Sequence, residues 1–157
     1  MDIVYYKTPI GIAKIVGNDD GIISVAVMDD KISPSTEIPV SLQECILQLD
    51  EYFKKKRTDF DLKLNPQGTE FQKKVWAELQ KIPFAKTITY LEQSKKMNSI
   101  KAIRAIASAN GKNPIWIIIP CHRVIGSDGS LTGYAGGIWR KKWLLEHENP
   151  SNQTSLF

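Results

Sequence analysis

A proline and a glycine within four residues, Asn65-Pro66-Gln67-Gly68, divide this chain at the point where its charge changes sign. Residues 1–70 carry 8 Lys/Arg against 12 Asp/Glu, a balance of −4, and residues 71–157 carry 13 against 5, a balance of +8. Both Pro and Gly are poorly tolerated inside helices and strands, so each half must build its own elements. With 157 residues and 42% apolar content, the chain has enough apolar surface for one substantial core or two small lobes. A positive half concentrates polyanions around itself, which makes nucleic acid its first candidate partner.

In the first half, residues 3–6, 10–17 and 21–28 read as short strands separated by Thr8-Pro9 and Asn18-Asp19-Asp20-Gly21, the pattern of a small antiparallel meander. From Ser41 to about Lys56, Leu42, Cys45, Ile46, Leu49, Tyr52 and Phe53 recur at helical spacing, which puts Cys45 on an apolar stripe as a core residue. The run Lys54-Lys55-Lys56-Arg57 closes this helix, where cations complement the C-terminal dipole. The lobe boundary follows, giving residues 1–64 as an N-terminal supporting lobe.

The second half opens with a helix over Thr69–Gln80, its apolar face made by Phe71, Val75, Trp76 and Leu79, and stopped by Ile82-Pro83. Tyr90–Met97 and Lys101–Asn110, joined by Asn98-Ser99-Ile100, have the lengths and turn of a helix-turn-helix. The second of these carries small residues at Ala102, Ala105, Ala107, Ser108 and Ala109 around Arg104, so it can approach a surface closely. Pro114–Ile119 is apolar and β-branched, the pattern of a buried strand or extended core segment, and it delivers Pro120-Cys121-His122-Arg123-Val124 at its end. A turn-rich loop with Gly133-Tyr134-Ala135-Gly136-Gly137 precedes a last helix over Ile138–His147, packed through Trp139, Trp143, Leu144 and Leu145. Residues 69–148 form one domain and 149–157 a polar tail. The fold class is α/β: a small antiparallel sheet with a helix, then a mainly helical lobe holding the helix-turn-helix and Cys121.

Two cysteines and two histidines make neither a disulfide framework nor a zinc site, so no metal and no cofactor are expected. The start of the chain lacks the flank and apolar run of a signal peptide, and no stretch reaches the roughly 18 apolar residues of a membrane span. A soluble cytoplasmic protein is expected. Cys121 follows a rigid proline at the mouth of a buried segment, which fixes its direction as a nucleophile requires. An ordinary thiol is only a few per cent ionised at neutral pH, so it needs a base or a cation beside it. His122, Arg123 and Glu148 are the candidates. On extended chain Cys121 and His122 would point to opposite sides, so His122 needs a turn or a bridging water to reach the thiol.

Asn113-Pro114, the Pro120–Gly126 segment, Gly133–Gly137 and Trp143-Leu144-Leu145-Glu146-His147-Glu148 occur together in this order, with Phe71-Gln72, Val75-Trp76, Thr89-Tyr90 and Arg104-Ala105 in register. Over residues 69–148 the chain resembles the O6-alkylguanine-DNA alkyltransferases. The resemblance implies direct reversal of DNA damage: irreversible, single-use transfer of a methyl or larger alkyl group from O6 of a flipped guanine, or O4 of thymine, to Cys121. It implies a water-mediated proton relay from the thiol to His122 with Glu148 behind it, Asn113 bracing the turn, and Tyr90 donating to N3 of the leaving base. Val124, Tyr134 and Ala135 would line the base through backbone groups. Arg104 would enter the base stack from the minor groove, with Ala105 and Lys101 also on DNA, and with Lys95, Lys96 and Lys112 as further phosphate contacts. A monomer acting on double-stranded DNA, associated with the nucleoid in a prokaryote and with no obligate protein partner, is implied.

The chain departs from the family's usual pattern at Ala85, where a turn glycine is common, at Ala107 and Ser108, where the second helix usually holds a glycine, and at Ala135, a serine in some members. Rival readings are a lesion-binding relative without the chemistry, a helix-turn-helix regulator and a cysteine hydrolase. The first two leave the Cys-His-Glu set unexplained, and a hydrolase histidine normally lies remote in sequence from its thiol.

Overall fold

The computed structural model describes residues 1–29 and 31–150; the expected polar tail falls outside them from residue 151 onward. The chain forms two compact units, Met1–Gln67 with Pro114–Trp116, and Gly68–Asn113 with Ile117 onward. The architecture is α/β, with a small antiparallel sheet in the first unit and a mainly helical second unit.

In the first unit, β1 (Asp2–Thr8), β2 (Gly11–Asn18) and β3 (Gly21–Met28) form a meander of order β1-β2-β3, antiparallel throughout. Alternation in β2 buries Ala13, Ile15 and Gly17 and leaves the residues between them half-exposed, the period-2 signature of a sheet with one covered face. Helix α1 (Val40–Phe53) covers that face with Leu42, Cys45, Gln48, Leu49 and Tyr52. Burial pushes the Cys45 thiol up to about 12, so this cysteine is an unreactive core residue. The basic run stands beyond the last helical turn instead of within it. Lys54 is the C-cap, Lys55 turns left-handed at φ 61°, and Lys54 and Arg57 pair with Asp50 and Glu51.

Pro114–Ile119 is buried from Ile115 onward as a core segment, and the strand alternative does not hold. The backbone pairs only briefly: the Val25 amide donates to the Pro114 carbonyl and the Trp116 amide to the Val25 carbonyl, both at 2.9 Å. At Ile117 φ is +69°, which a β-branched residue adopts only under constraint and which ends any ladder. Burial alone makes an apolar run; it does not impose a backbone conformation.

The second unit begins with α2 (Glu70–Leu79), started by a capping box between Thr69 and Gln72. A Cβ at Gly68 would stand 2.5 Å from Trp76 Cη2, so this break residue also lets the helix start pack on its own indole. Val75, Trp76 and Leu79 are buried, whereas Phe71 is 38% exposed and falls off the packed face. Trp76 Nε1 donates to the Ala109 carbonyl at 2.9 Å, tying α2 to α4 (Ile103–Gly111). Between α3 (Tyr90–Lys96) and α4 the chain turns through Asn98 at φ 53° and a 3-10 turn over Ile100–Ala102, so the second helix of the pair starts two residues later than its pattern suggests. The pair is locked by a reciprocal buried amide bridge: Gln93 Nε2 donates to Asn110 Oδ1 at 2.9 Å, and Asn110 Nδ2 to Gln93 Oε1 at 2.7 Å. The last helix, α5 (Ile138–Glu148), buries Arg140, Lys141, Leu144, Leu145 and Glu148. Trp139 does not pack inward as expected. It is 53% exposed beneath the Arg140 guanidinium, 4.4 Å from its ring, while Trp143 stacks on His147.

Removing one partner of the amide bridge strands the other without water. Gln93→Leu is expected to cost about 1–3 kcal/mol in urea unfolding, and Gln93→Leu with Asn110→Leu to recover part of that loss, since the double variant leaves no unpaired amide.

Candidate active site

Two short strands set the site. Ile88–Thr89 (β4) and Val124–Ile125 (β5) pair in parallel, Ile88 with Val124 and Thr89 with Ile125. Thr89 is also the N-cap of α3, its hydroxyl accepting from the Glu92 amide while the Glu92 side chain accepts from the Thr89 amide. The first residue of α3, Tyr90, is thereby fixed beside the segment that leaves Cys121.

Cys121-His122-Arg123 is one turn of 3-10 helix, with the Cys121 amide donating to Ile119 and the Arg123 amide to Pro120. At three residues per turn, successive side chains diverge by about 120° instead of pointing to opposite sides. The geometric obstacle raised by extended chain therefore does not arise. Cys121 is partly exposed, whereas His122 and Arg123 are buried. Asn113 Nδ2 donates to the Ile119 carbonyl at 2.7 Å and to Cys121 Sγ at 3.3 Å, so one amide holds both the turn and the sulfur.

Behind this turn lies a dry ionic cluster. His122 Nε2 lies 2.6 Å from Glu148 Oε2, and Arg123 grips the same carboxylate in a fork, Nε to Oε1 at 2.8 Å and Nη2 to Oε2 at 3.0 Å. The Ala85 amide donates to Oε1 at 3.3 Å, and Arg123 Nη1 to the Ile82 carbonyl at 2.7 Å. His122 Nδ1 is buried and has no hydrogen-bond partner among the described residues.

Electrostatics divide the labour. Burial pushes the Cys121 thiol above its ordinary value, and the Asn113 amide and the Lys141 ammonium pull against this without overcoming it. Burial pushes the His122 imidazole below its ordinary value; Glu148 opposes the shift, while Arg123 and Lys141 reinforce it. Burial would raise Glu148, but His122 and Arg123 outweigh it and hold the carboxyl well below the usual carboxylate range. Lys141 is lowered by burial to about 8, with Cys121 opposing. The resting arrangement is thus a protonated thiol, a neutral imidazole and an ionised carboxylate. Such a set can move a proton off sulfur once an electrophile arrives.

Tyr90, its phenol pushed up by burial, reaches the Thr132 carbonyl at 3.4 Å. The Lys141 ammonium donates to that carbonyl at 3.0 Å and lies 5.8 Å from the Tyr90 ring. Tyr90, Ile103, Arg104, Ala107, Thr132 and Gly133 line an open hollow of about 370 Å³. Arg104, Ala105 and Lys101 are exposed, as are Lys95, Lys96 and Lys112. Val124 is buried on β5; Tyr134 is half-buried and Ala135 exposed in the turn closed by the Gly137 amide on the Tyr134 carbonyl. Gly137, at φ +90°, is the N-cap of α5 and adopts a backbone that side chains resist.

Sequence reasoning brought together Cys121, His122, Glu148 and Asn113, and the geometry joins His122 to Glu148 and Asn113 to Cys121. Arg123 is among its three candidates for ionising the thiol but receives no role, and Lys141 is not singled out. The signal for Lys141 was its spacing: it lies seven residues before Glu148 on α5, two turns along the same buried face as Leu144 and Leu145. No cluster of three or more His, Cys, Asp or Glu suited to a metal ion occurs among the described residues, and none of their helices is long and apolar enough to cross a membrane.

A partly exposed cysteine beside a buried His-carboxylate couple, in a unit that also carries a helix pair, is the arrangement of a protein that can use a cysteine nucleophile. Residues 3–66 and 70–150 match the ribonuclease-like domain and the DNA binding domain of 6-O-methylguanine DNA methyltransferase, respectively. The chain is 41% identical to the methylated-DNA–protein-cysteine methyltransferase of Mycolicibacterium paratuberculosis, covering 98% of this chain and 97% of that protein. It is 44% identical to that of Methanosarcina acetivorans, covering 91% and 95%. The crystal structure of the Mycobacterium tuberculosis O6-methylguanine methyltransferase superposes with a TM-score of 0.83 at 40% identity, covering 93% and 91% of the two chains. A structure of the same organism's protein in complex with DNA gives 0.84 at 39% identity, with the same coverage. This chain belongs to the methylated-DNA–protein-cysteine methyltransferase family.

Two outcomes follow from the cluster. Ala85 occupies the left-handed region at φ +67°, where the family's common glycine would be unstrained. Ala85→Gly is expected to raise stability by up to about 1 kcal/mol in thermal or urea unfolding. Both His122 and Glu148 bind protons more weakly folded than unfolded. Their stabilisation is complete above the unfolded values, roughly 6.5 and 4.3, and is lost as pH falls through and below them. The urea midpoint is expected to drop between pH 7 and pH 5, and to drop less in His122→Asn.

Proposed function

We propose that this chain reverses alkylation damage in DNA directly, with Cys121 as the single-use acceptor of an alkyl group from O6 of guanine. What carries the reading is the pairing of a thiol held by Asn113 with a buried His122–Glu148 couple one residue away, His122 Nδ1 being left available to take a proton.

The Cys121 proton passes through a bridging water to His122, and Glu148 stabilises the imidazolium that forms. The sulfur attacks the alkyl carbon, the carbon–O6 bond breaks, and its electron pair stays on the guanine. That developing anion must be neutralised, so Tyr90 turns its hydroxyl from the Thr132 carbonyl to N3, and the proton lent to His122 returns to the base. Val124 and the Tyr134-Ala135 turn hold the base edge through backbone groups; Ala135 supplies no side-chain donor to O6. The product is a thioether that no group in the site cleaves, so each molecule reacts once. O4 of thymine offers the same chemistry at the same reach.

The target atom lies inside the duplex and must be extruded at a cost of a few kcal/mol. Arg104, exposed on α4 with small Ala105 and Ser108 beside it, fills the vacated stack from the minor groove of double-stranded DNA, and Lys101 contacts phosphate. A monomer suffices, since every group named comes from one chain, and a cytoplasmic protein acting at the nucleoid meets the substrate.

The test is intact mass after incubation with duplex DNA holding one O6-methylguanine. A gain of one methylene per molecule is expected, none in Cys121→Ala, and a single-turnover rate lowered about 10²-fold or more in His122→Gln. Lesion-selective binding with unchanged mass would make the chain a recognition protein.

A further inference from the structure

Arg123 has no task in the transfer chemistry above, yet it is 6% exposed and grips the carboxylate on which His122 rests. Its fork occupies both oxygens of Glu148, its remaining terminal nitrogen is anchored on the Ile82 carbonyl, and Phe84 lies against its face at 5.8 Å. With the Ala85 amide on Oε1 and His122 Nε2 on Oε2, each oxygen of the carboxylate accepts from Arg123 and from one further group. We propose that Arg123 is a positioning residue for proton transfer: by holding a positive charge against Glu148 it lets the carboxylate orient His122 while keeping the resting ring neutral, with the proton on Nε2 and Nδ1 basic.

The argument is one of competing charges. A carboxylate 2.6 Å from an imidazole in a dry site would, left alone, draw a second proton onto the ring, and an imidazolium cannot act as a base. The groups facing His122 are Glu148 and Lys141 on α5, with Cys121 and Arg123 on its own turn; the Ile82–Ala85 segment contributes only backbone groups. Arg123 shares the carboxylate's charge, and its own positive charge opposes a second positive charge on the ring. Lys141 acts in the same direction without touching Glu148. Arg123 therefore reinforces burial in keeping the ring neutral while touching the carboxylate that orients it, a combination Lys141 does not offer.

This rests on His122 being the proton acceptor, and the experiment separates the two. Single-turnover methyl transfer is measured from pH 5 to 9 with duplex O6-methylguanine for the wild type, Arg123→Lys, Arg123→Met and His122→Gln, beside an NMR titration of the DNA-free proteins. The chain has two histidines, so His147 serves as internal control. In the wild type, His122 is expected to be neutral and protonated on Nε2 at pH 7. In Arg123→Met its titration and the acid limb of the rate move together to higher pH, each unit lowering the rate on that limb about tenfold, with recovery at pH 9. Arg123→Lys keeps the charge without the fork, so the limb stays near that of the wild type even where stability falls. Loss of stability in Arg123→Met with an unmoved limb would reduce Arg123 to a structural brace and overturn the proposal. If Arg123→Met does not fold, a wild-type His122 that is an imidazolium at pH 7 overturns it equally. A wild-type rate in His122→Gln would remove the proton-acceptor reading itself.

Discussion

The buried carboxylate of Glu148 is the constraint around which the second unit is arranged. A single negative charge in a dry site is tolerated only when hydrogen bonds and cations surround it, and removing such partners from a buried ion pair typically costs about 3–5 kcal/mol. Here the partners come from two separate pieces of chain, the Cys121–Arg123 turn and the segment before β4, while the carboxylate itself stands on α5. Each must be in place for the charge to be acceptable. Folding the unit and assembling this cluster are therefore one event, while the sulfur beside it is held by the Asn113 amide.

A chemical asymmetry results. The sulfur is not primed as a thiolate, because burial holds its proton on; a reactive anion in the absence of substrate would invite oxidation. On the proposed mechanism reactivity is instead divided between a thiol that keeps its proton and an imidazole that takes it when substrate arrives. Lys141, buried and lowered to about 8, adds a cation whose influence reaches both Cys121 and the Tyr90–Thr132 contact.

Much of this was legible in the residues. The meander, the first long helix and the helices of the second half announce themselves through alternation, helical spacing and Pro or Gly breaks, which act over a few residues and leave direct traces. The spaced Cys, His and Glu were equally visible. What was not legible depends on neighbours distant in sequence. Ile115–Ile119 reads as strand because burial selects the same residues whatever the backbone does, and nothing in the letters reveals φ +69° at Ile117. Trp139 reads as core because it is large and apolar, while the charged Arg140 and Lys141 beside it take the buried face, held by the carbonyls of Gly136 and Thr132. Arg123 is indistinguishable in sequence from a surface cation; only the fold brings Glu148 to its fork.

The bridge between Gln93 and Asn110 makes α3 and α4 a single rigid piece. Tyr90 opens one helix and Arg104 lies on the other, so the span between the side chain that would occupy the emptied stack and the hydroxyl that would meet the displaced base is fixed before any DNA arrives. On the proposed reading the helix pair would then work as a calliper. A nucleotide would be tested against a preset displacement, and one that cannot be extruded that far would never reach the sulfur, whatever its chemistry. Discrimination on this view begins in a pair of amides that touch neither the thiol nor the nucleic acid.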